Sequence, residues 1–145
     1  MANFSKATVI RAPGQKVWRF VREFSGADKY ISIMVAIEQI GDGIGAIRIV
    51  TLADGSRVVD RLEGLDEQRR TISYSILQST GPLPFSGYVA TMHVRDAGTD
   101  RCEVDWSATY APKNGQEQAA EQLLESVYSN GFAGLKAACE TSAHV

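Results

Sequence analysis

The sequence has little of what anchors a metal, a disulfide, a membrane span or a nucleic acid. Its two cysteines, Cys102 and Cys139, stand far apart and form no CxxC pair, and its two histidines, His93 and His144, fall in no ligand spacing with them. A reduced chain with no structural metal and no cofactor is therefore expected, and with it a cytoplasmic location. No apolar run approaches the roughly 20 residues a membrane span needs, and Met1–Lys6 carries no apolar core of the signal-peptide kind. Clustered positive charge is also scarce. The longest basic run is Arg69-Arg70 and the formal net charge is −2, so the electrostatic footprint of a nucleic-acid partner is missing. Repeats, low-complexity tracts and linkers are absent as well. Residues 1–145 thus read as a single domain, of a length that buries roughly 68–70% of its unfolded surface. Nothing in the sequence fixes an oligomeric state.

What is present is periodicity. Ser5–Ala12 alternates as a strand, with Ala7, Val9 and Arg11 on one side and Thr8, Ile10 and Ala12 on the other. Pro13 suits the first turn of a helix, where its missing N–H would be unpaired in any case. Val17, Val21 and Phe24, flanked by Trp18 and Phe20, recur at helical spacing until Ser25-Gly26, and Ala27–Ile31 reads as a short second helix. Ile33–Ile40 is β-branched and reads as a strand, and Gly41, Gly43 and Gly45 break it. Five strands follow, over Gly45–Leu52, Arg57–Leu65, Arg70–Gln78, Phe85–Arg95 and Arg101–Tyr110. The last alternates most cleanly, with Cys102, Val104, Trp106, Ala108 and Tyr110 on one face. From about Gln116 to Glu140 one long helical stripe runs through Ala120, Leu124, Val127, Gly131, Leu135 and Ala138, widened by Leu123 and Tyr128. Gly131 and Gly134 inside it each cost about 1 kcal/mol against alanine, so they serve either a close approach or a kink.

This order predicts an α+β fold: a seven-stranded curved antiparallel sheet wrapped around a long C-terminal helix, with two short helices after the first strand. A sheet so curved cannot close down fully on one helix, and the space left between them is a candidate ligand cavity.

The most informative stretch is Ile37–Leu62, a glycine loop followed by a hairpin that sets two charges, Arg48 and Asp60, in apolar strands. If Asp54-Gly55 is a two-residue turn, Arg48 faces Arg61 and Asp60 points the other way. If the loop is Ala53-Asp54-Gly55, with glycine in the left-handed position, Arg48 faces Asp60, Val50 faces Val58 and Ala46 faces Leu62. The second register builds one apolar face holding a single opposed ion pair; the first buries Ile47, Ile49, Val58 and Leu62. A carboxylate beside arginine is expected to keep a low pKa. The pair either serves a ligand, is purely structural, or is a solvated surface pair.

The run Gly41-Asp42-Gly43-Ile44-Gly45-Ala46-Ile47-Arg48 is similar to the glycine-rich loop of the birch-pollen-allergen and norcoclaurine-synthase proteins. The order of elements resembles the helix-grip fold of that START-like superfamily (SRPBCC). Ala12-Pro13 with Val17-Trp18, Leu62-Glu63-Gly64-Leu65-Asp66, Ser73-Tyr74-Ser75-Ile76, Leu83-Pro84, Tyr88 with Ala90-Thr91, and Val104-Asp105-Trp106 resemble its polyketide cyclase/dehydrase-like branch. They also resemble lachrymatory factor synthase and the abscisic acid receptors. The resemblance implies an arginine inside the cavity on the strand after the glycine loop, matched by Arg48. It implies an acid on the next strand, matched by Asp60 where glutamate is usual. Leu52-Ala53-Asp54-Gly55 does not match the receptors' gate motif, so hormone reception is not implied.

The expected ligand is a small hydrophobic or aromatic molecule. It would be held by Arg48, Asp60, Tyr74, Ile76, Tyr88, Ala90, Met92, Trp106, Leu124, Val127, Tyr128 and Gly131, under a glycine loop that forms the rim. Phenol and indole edges can hydrogen-bond a ligand while their rings pack against it. The alternative is an enzyme of the cyclase, dehydratase or isomerase type, with Asp60 moving a proton and Arg48 stabilising an oxyanion. A third reading is an interaction module whose core is filled by its own side chains. His93 is expected to point outward, and Ser86 and Ser107 have no histidine in pattern for a catalytic triad.

Overall fold

A side-chain period of two gives each strand of this chain one face to bury and one to leave wet. A computed structural model of the chain describes residues 1–140; His144 lies outside the described residues. The strands are β1 (Ala2–Ile10), β2 (Met34–Ile40), β3 (Ile47–Leu52), β4 (Arg57–Asp66), β5 (Thr71–Ser79), β6 (Phe85–Asp96) and β7 (Cys102–Pro112). They form a seven-stranded sheet in the order β1-β7-β6-β5-β4-β3-β2, every pair antiparallel, so β1 and β2 are its edges. Helix α1 (Gly14–Val21) and a 3-10 turn (Phe24–Lys29) link β1 to β2, and α2 (Glu117–Cys139) follows β7. This is the helix-grip arrangement. Among the described residues no helix is long and apolar enough to cross a membrane.

The differences from the sequence reading fall at element ends. β1 starts at Ala2, because Ala2 still pairs with Tyr110, and stops at Ile10 ahead of Pro13. Pro13 is the N-cap rather than part of the first turn. Its extended ψ of 142° aims its carbonyl at the amides of Lys16 (3.0 Å) and Val17 (3.2 Å). The short second helix is the 3-10 turn, which begins earlier than expected, at Phe24.

Helix α2 buries Ala120, Leu124, Tyr128, Gly131, Phe132, Leu135 and Cys139 against the sheet and the 3-10 segment. Its two inner glycines are sites of close approach, since the helix runs through them unbroken. A methyl at Gly131 would stand 2.6 Å from the Trp106 ring, and one at Gly134 would collide with the Tyr30 carbonyl. Trp106 lies flat on Tyr128, ring centroids 4.0 Å apart and planes 6° from parallel, with Phe132 beside it. The middle of the space between sheet and helix is therefore solid.

Candidate functional site

The hairpin of β3 and β4 takes the three-residue loop. Gly55 sits at φ +88°, Arg48 pairs with Asp60 and Val50 with Val58. Arg48, Val50 and Leu52 then share the inner face of β3, as Val58, Asp60 and Leu62 share that of β4. Arg48 and Asp60 are both buried, and Arg48 Nε donates to Asp60 Oδ2 at 2.8 Å.

The guanidinium turns away from the strand pair. Its Nη1 donates to the Phe24 carbonyl at 2.8 Å, and its carbon lies 4.3 Å from the centre of the Phe24 ring and 4.8 Å from that of Tyr74. A carbonyl, a carboxylate and two aromatic faces thus offset its burial. Asp60 is less fully served. Oδ1 is buried and has no hydrogen-bond partner among the described residues. Burial pushes the Asp60 carboxyl above its ordinary pKa, and the opposing pull of Arg48 does not cancel this. The low pKa expected from the neighbouring arginine is therefore corrected: removal from water outweighs the cation when only one oxygen is bonded.

Asp60 forms part of the wall of a hollow of about 130 Å³ between the sheet and α2. The buried side chains Val50, Asp60, Tyr74, Phe85, Tyr88 and Leu124 make its floor. Half-buried apolar side chains surround its mouth: Ile33 before β2 and Met34 at its start, Leu52 and Val58 beside the hairpin turn, Ile76 on β5, Leu83 in the β5–β6 loop, and Leu123 and Val127 on α2. The ladder between β5 and β6 stops at Ser75 and Val89. Beyond that rung a surface cleft of about 570 Å³ opens between the two strands. Ile76, Leu83, Phe85 and Tyr88 line both spaces, so these side chains are the wall between hollow and cleft.

Of the residues expected at the site, Asp60, Tyr74, Ile76, Tyr88, Leu124 and Val127 meet at the hollow. Arg48, Ala90, Met92, Trp106, Tyr128 and Gly131 do not, and their expected place on its wall is corrected. Arg48 is screened by Phe24 and Tyr74. The Trp106–Tyr128 stack fills the space over Gly131, and Ala90 and Met92 lie in the solid core, with the Tyr30 hydroxyl 3.7 Å from the Met92 sulfur. The glycine loop is no rim either. It closes the opposite end of the hairpin, where Gly45 N donates to the Leu62 carbonyl and Leu62 N to that of Ala46. Its three glycines, with φ of +85°, +69° and +94°, instead make a tight left-handed connection. His93 lies half-buried on the outer face.

Sequence reasoning missed Ile33, Met34, Val50, Leu52, Val58, Leu83, Phe85 and Leu123. Val50, Leu52 and Val58 were within reach, since they share the faces of Arg48 and Asp60 by alternation. Leu83 and the Ile33–Met34 segment arrive only through tertiary packing.

Two separate hydrogen bonds hold the phenols beside the hollow. Trp106 Nε1 donates to the Tyr74 hydroxyl at 3.2 Å, and the hydroxyls of Tyr88 and Tyr128 share a hydrogen bond of 2.6 Å. Burial pushes the Tyr74 and Tyr88 phenols up, so they stand neutral on the wall. The site is thus an apolar hollow with one carboxyl and two neutral phenols.

Residues 1–140 match the family model described as polyketide cyclase / dehydrase and lipid transport. Among solved structures, protein XoxI from Bacillus cereus is 24% identical, with a TM-score of 0.88 over 96% of each chain. A protein from Thermobifida fusca is 24% identical, with a TM-score of 0.83 over 99% of each chain. Norcoclaurine synthase from Thalictrum flavum, solved with dopamine and hydroxybenzaldehyde, is 20% identical, with a TM-score of 0.76 over 99% of this chain and 89% of its own. At these identities the likeness is one of fold.

Proposed function

The chain belongs to the polyketide cyclase / dehydrase and lipid transport family, and from that membership we propose that it binds a small, largely hydrophobic molecule of one-ring size between sheet and α2. The observation that carries this reading is the hollow itself: about 130 Å³, apolar but for Asp60 and two phenols. An apolar cavity of about 150 Å³ takes up benzene, whereas pockets for drug-sized ligands run to roughly 300–1,000 Å³. One ring is therefore the scale. The half-buried collar of aliphatic side chains favours burial of such a ring, at about 25 cal/mol per Å² of apolar surface removed from water.

Thermal unfolding of the full chain with rising toluene, benzene or phenol tests this. The reading expects a dose-dependent rise in melting temperature. It also expects the rise to vanish in Val58→Phe, which fills the mouth, while circular dichroism shows the same fold. No rise with any of the three would overturn it.

One observation favours a second reading, catalysis of the cyclase, dehydratase or isomerase type. Burial moves Asp60 upward, toward the range in which a carboxyl can both take and return a proton. Arg48 is not available as an oxyanion partner in this arrangement, since it is engaged by Phe24, Tyr74 and Asp60. Protein-dependent exchange of deuterium into the α-carbon of cyclohexanone, lost in Asp60→Asn, would support this second reading; exchange undiminished in that variant would remove Asp60 from it.

A further inference from the structure

The sheet is split beside the hollow. The rungs between β5 and β6 end at Ser75 and Val89, although β5 runs on to Ser79 and β6 begins at Phe85. Just beyond the last rung, each strand carries an extra residue against its other neighbour. On β5, Leu77 stands between the rungs that Ile76 and Gln78 make with β4. On β6, Gly87 and Tyr88 stand against Tyr110 alone. A bulge bends its strand and interrupts local pairing. Two bulges at one level part the strands, and the cleft of about 570 Å³ lies in the gap.

Cleft and hollow share the wall made by Ile76, Leu83, Phe85 and Tyr88. Ile76 is held in the ladder opposite Asp60. Phe85 stacks on Tyr88 with ring centroids 5.2 Å apart, and the Tyr88 hydroxyl is bonded to that of Tyr128. Leu83 stands instead on the loop between the strands, and it is half-buried. Its backbone is fixed all the same. Pro82 and Pro84 flank it, and the proline that follows holds it to extended conformations. The loop is tied at both ends, where Thr80 N donates to the Arg57 carbonyl at 2.9 Å and Lys113 N to that of Pro84 at 2.8 Å. At this point the wall is one aliphatic side chain on a set backbone, so what it blocks depends on its length.

The spaces on its two sides differ. The hollow is apolar and of one-ring size, whereas the cleft adds Gln78, Ser79, Thr80, Ser86 and Lys113. Joined, they would reach the roughly 300–1,000 Å³ of pockets that hold drug-sized ligands.

We propose that Leu83 is the residue that sets ligand length: it closes the hollow against the cleft and holds the site to one ring. A shorter side chain there admits a two-ring molecule, its inner ring in the hollow and its polar far end in the cleft. This rests on the reading of the hollow as a ligand site and adds what limits the ligand.

Calorimetric titration of the full chain with phenol and para-phenylphenol tests the proposal. The wild type should bind para-phenylphenol no more tightly than phenol, in spite of its larger apolar surface. In Leu83→Ala the ratio of para-phenylphenol to phenol affinity should rise about tenfold or more. Leu83→Met, which conserves volume, should keep the wild-type ratio. Leu123→Ala enlarges the hollow on the α2 side, away from the cleft, and should move the ratio much less. A wild type that already prefers para-phenylphenol, an unchanged ratio in Leu83→Ala, or an equal rise in Leu123→Ala would overturn the proposal while the hollow remained a binding site. Failure of phenol to bind the wild type would remove the ligand site itself. Should Leu83→Ala not fold, the smaller truncation Leu83→Val is read in its place, with a rise in the ratio expected and none overturning the proposal.

Discussion

Arg48 and Asp60 depend on each other unequally. The guanidinium keeps a carbonyl and two aromatic faces when the carboxylate is removed, but it stays charged under all ordinary conditions. The carboxyl can shed its charge by taking up a proton, and burial already moves it in that direction. Both Asp60→Ala and Arg48→Ala should cost about 3–5 kcal/mol near neutral pH, because each leaves an uncompensated buried ion. Their pH dependence should differ. A carboxyl whose folded pKa lies above its unfolded value binds more protons in the native state, so stability falls as pH rises from the unfolded pKa through the folded one. The penalty of Arg48→Ala should therefore shrink as the solution is made mildly acidic, whereas that of Asp60→Ala should not. Urea unfolding of both variants across that range checks this, and equal penalties throughout would contradict it. The pairing itself was legible, since a hairpin's loop length sets its register and Gly55 was in place for the three-residue loop. The direction of the guanidinium was not. Phe24, which receives it, comes from a distant segment that no local pattern ties to β3.

At the scale of the elements, the tightest constraint in the structure is the crossing of α2 over the segment at Tyr30. Alanine favours a helix over glycine by about 1 kcal/mol, so Gly134→Ala would stabilise a free helix. Here its methyl would meet the Tyr30 backbone, 2.7 Å from the carbonyl carbon, and backbone cannot swing aside as a side chain can. Gly134→Ala should lower stability by about 3 kcal/mol or more, the upper end of overpacking costs. Gly131→Ala presses on the edge of a stacked indole and should cost about 1–3 kcal/mol. Urea midpoints give both values, and a gain in stability for either would show that the helix can lift off the sheet. Periodicity was enough to find α2, the seven strands and their order, because alternation and the helical stripe persist over whole elements. It could not choose between a close approach and a kink at the two glycines, which depends on the element facing the helix. It also misplaced the glycine loop at the mouth of the hollow. Three left-handed glycines specify a tight connection, but not which end of the hairpin lies beside the empty space.

Across the whole molecule, the space between sheet and helix is divided. Its centre is filled by Trp106, Tyr128 and Phe132, and only the end beside the β3–β4 turn and the β5–β6 loop stays hollow. The aromatic filling has a consequence for the entire fold at high pH. Each of the five tyrosines, Tyr30, Tyr74, Tyr88, Tyr110 and Tyr128, has its phenol pushed upward chiefly by burial. An acid whose pKa is raised by folding contributes nothing to pH dependence while both states are protonated. It then favours the unfolded chain once pH passes the unfolded value, about 10 for tyrosine. Tyr30, Tyr88 and Tyr128 are pushed furthest, and three such groups acting together steepen the loss of stability to roughly 4 kcal/mol per pH unit above that point, which a margin of about 5–15 kcal/mol cannot withstand for long. The fold should therefore collapse within a few pH units above about 10. Phenolate absorbance and far-ultraviolet circular dichroism, followed together through an alkaline titration, should change in a single coincident transition. A gradual phenolate signal near the ordinary tyrosine pKa, with the dichroism intact, would mean that water reaches the phenols and that the centre of the grip is open.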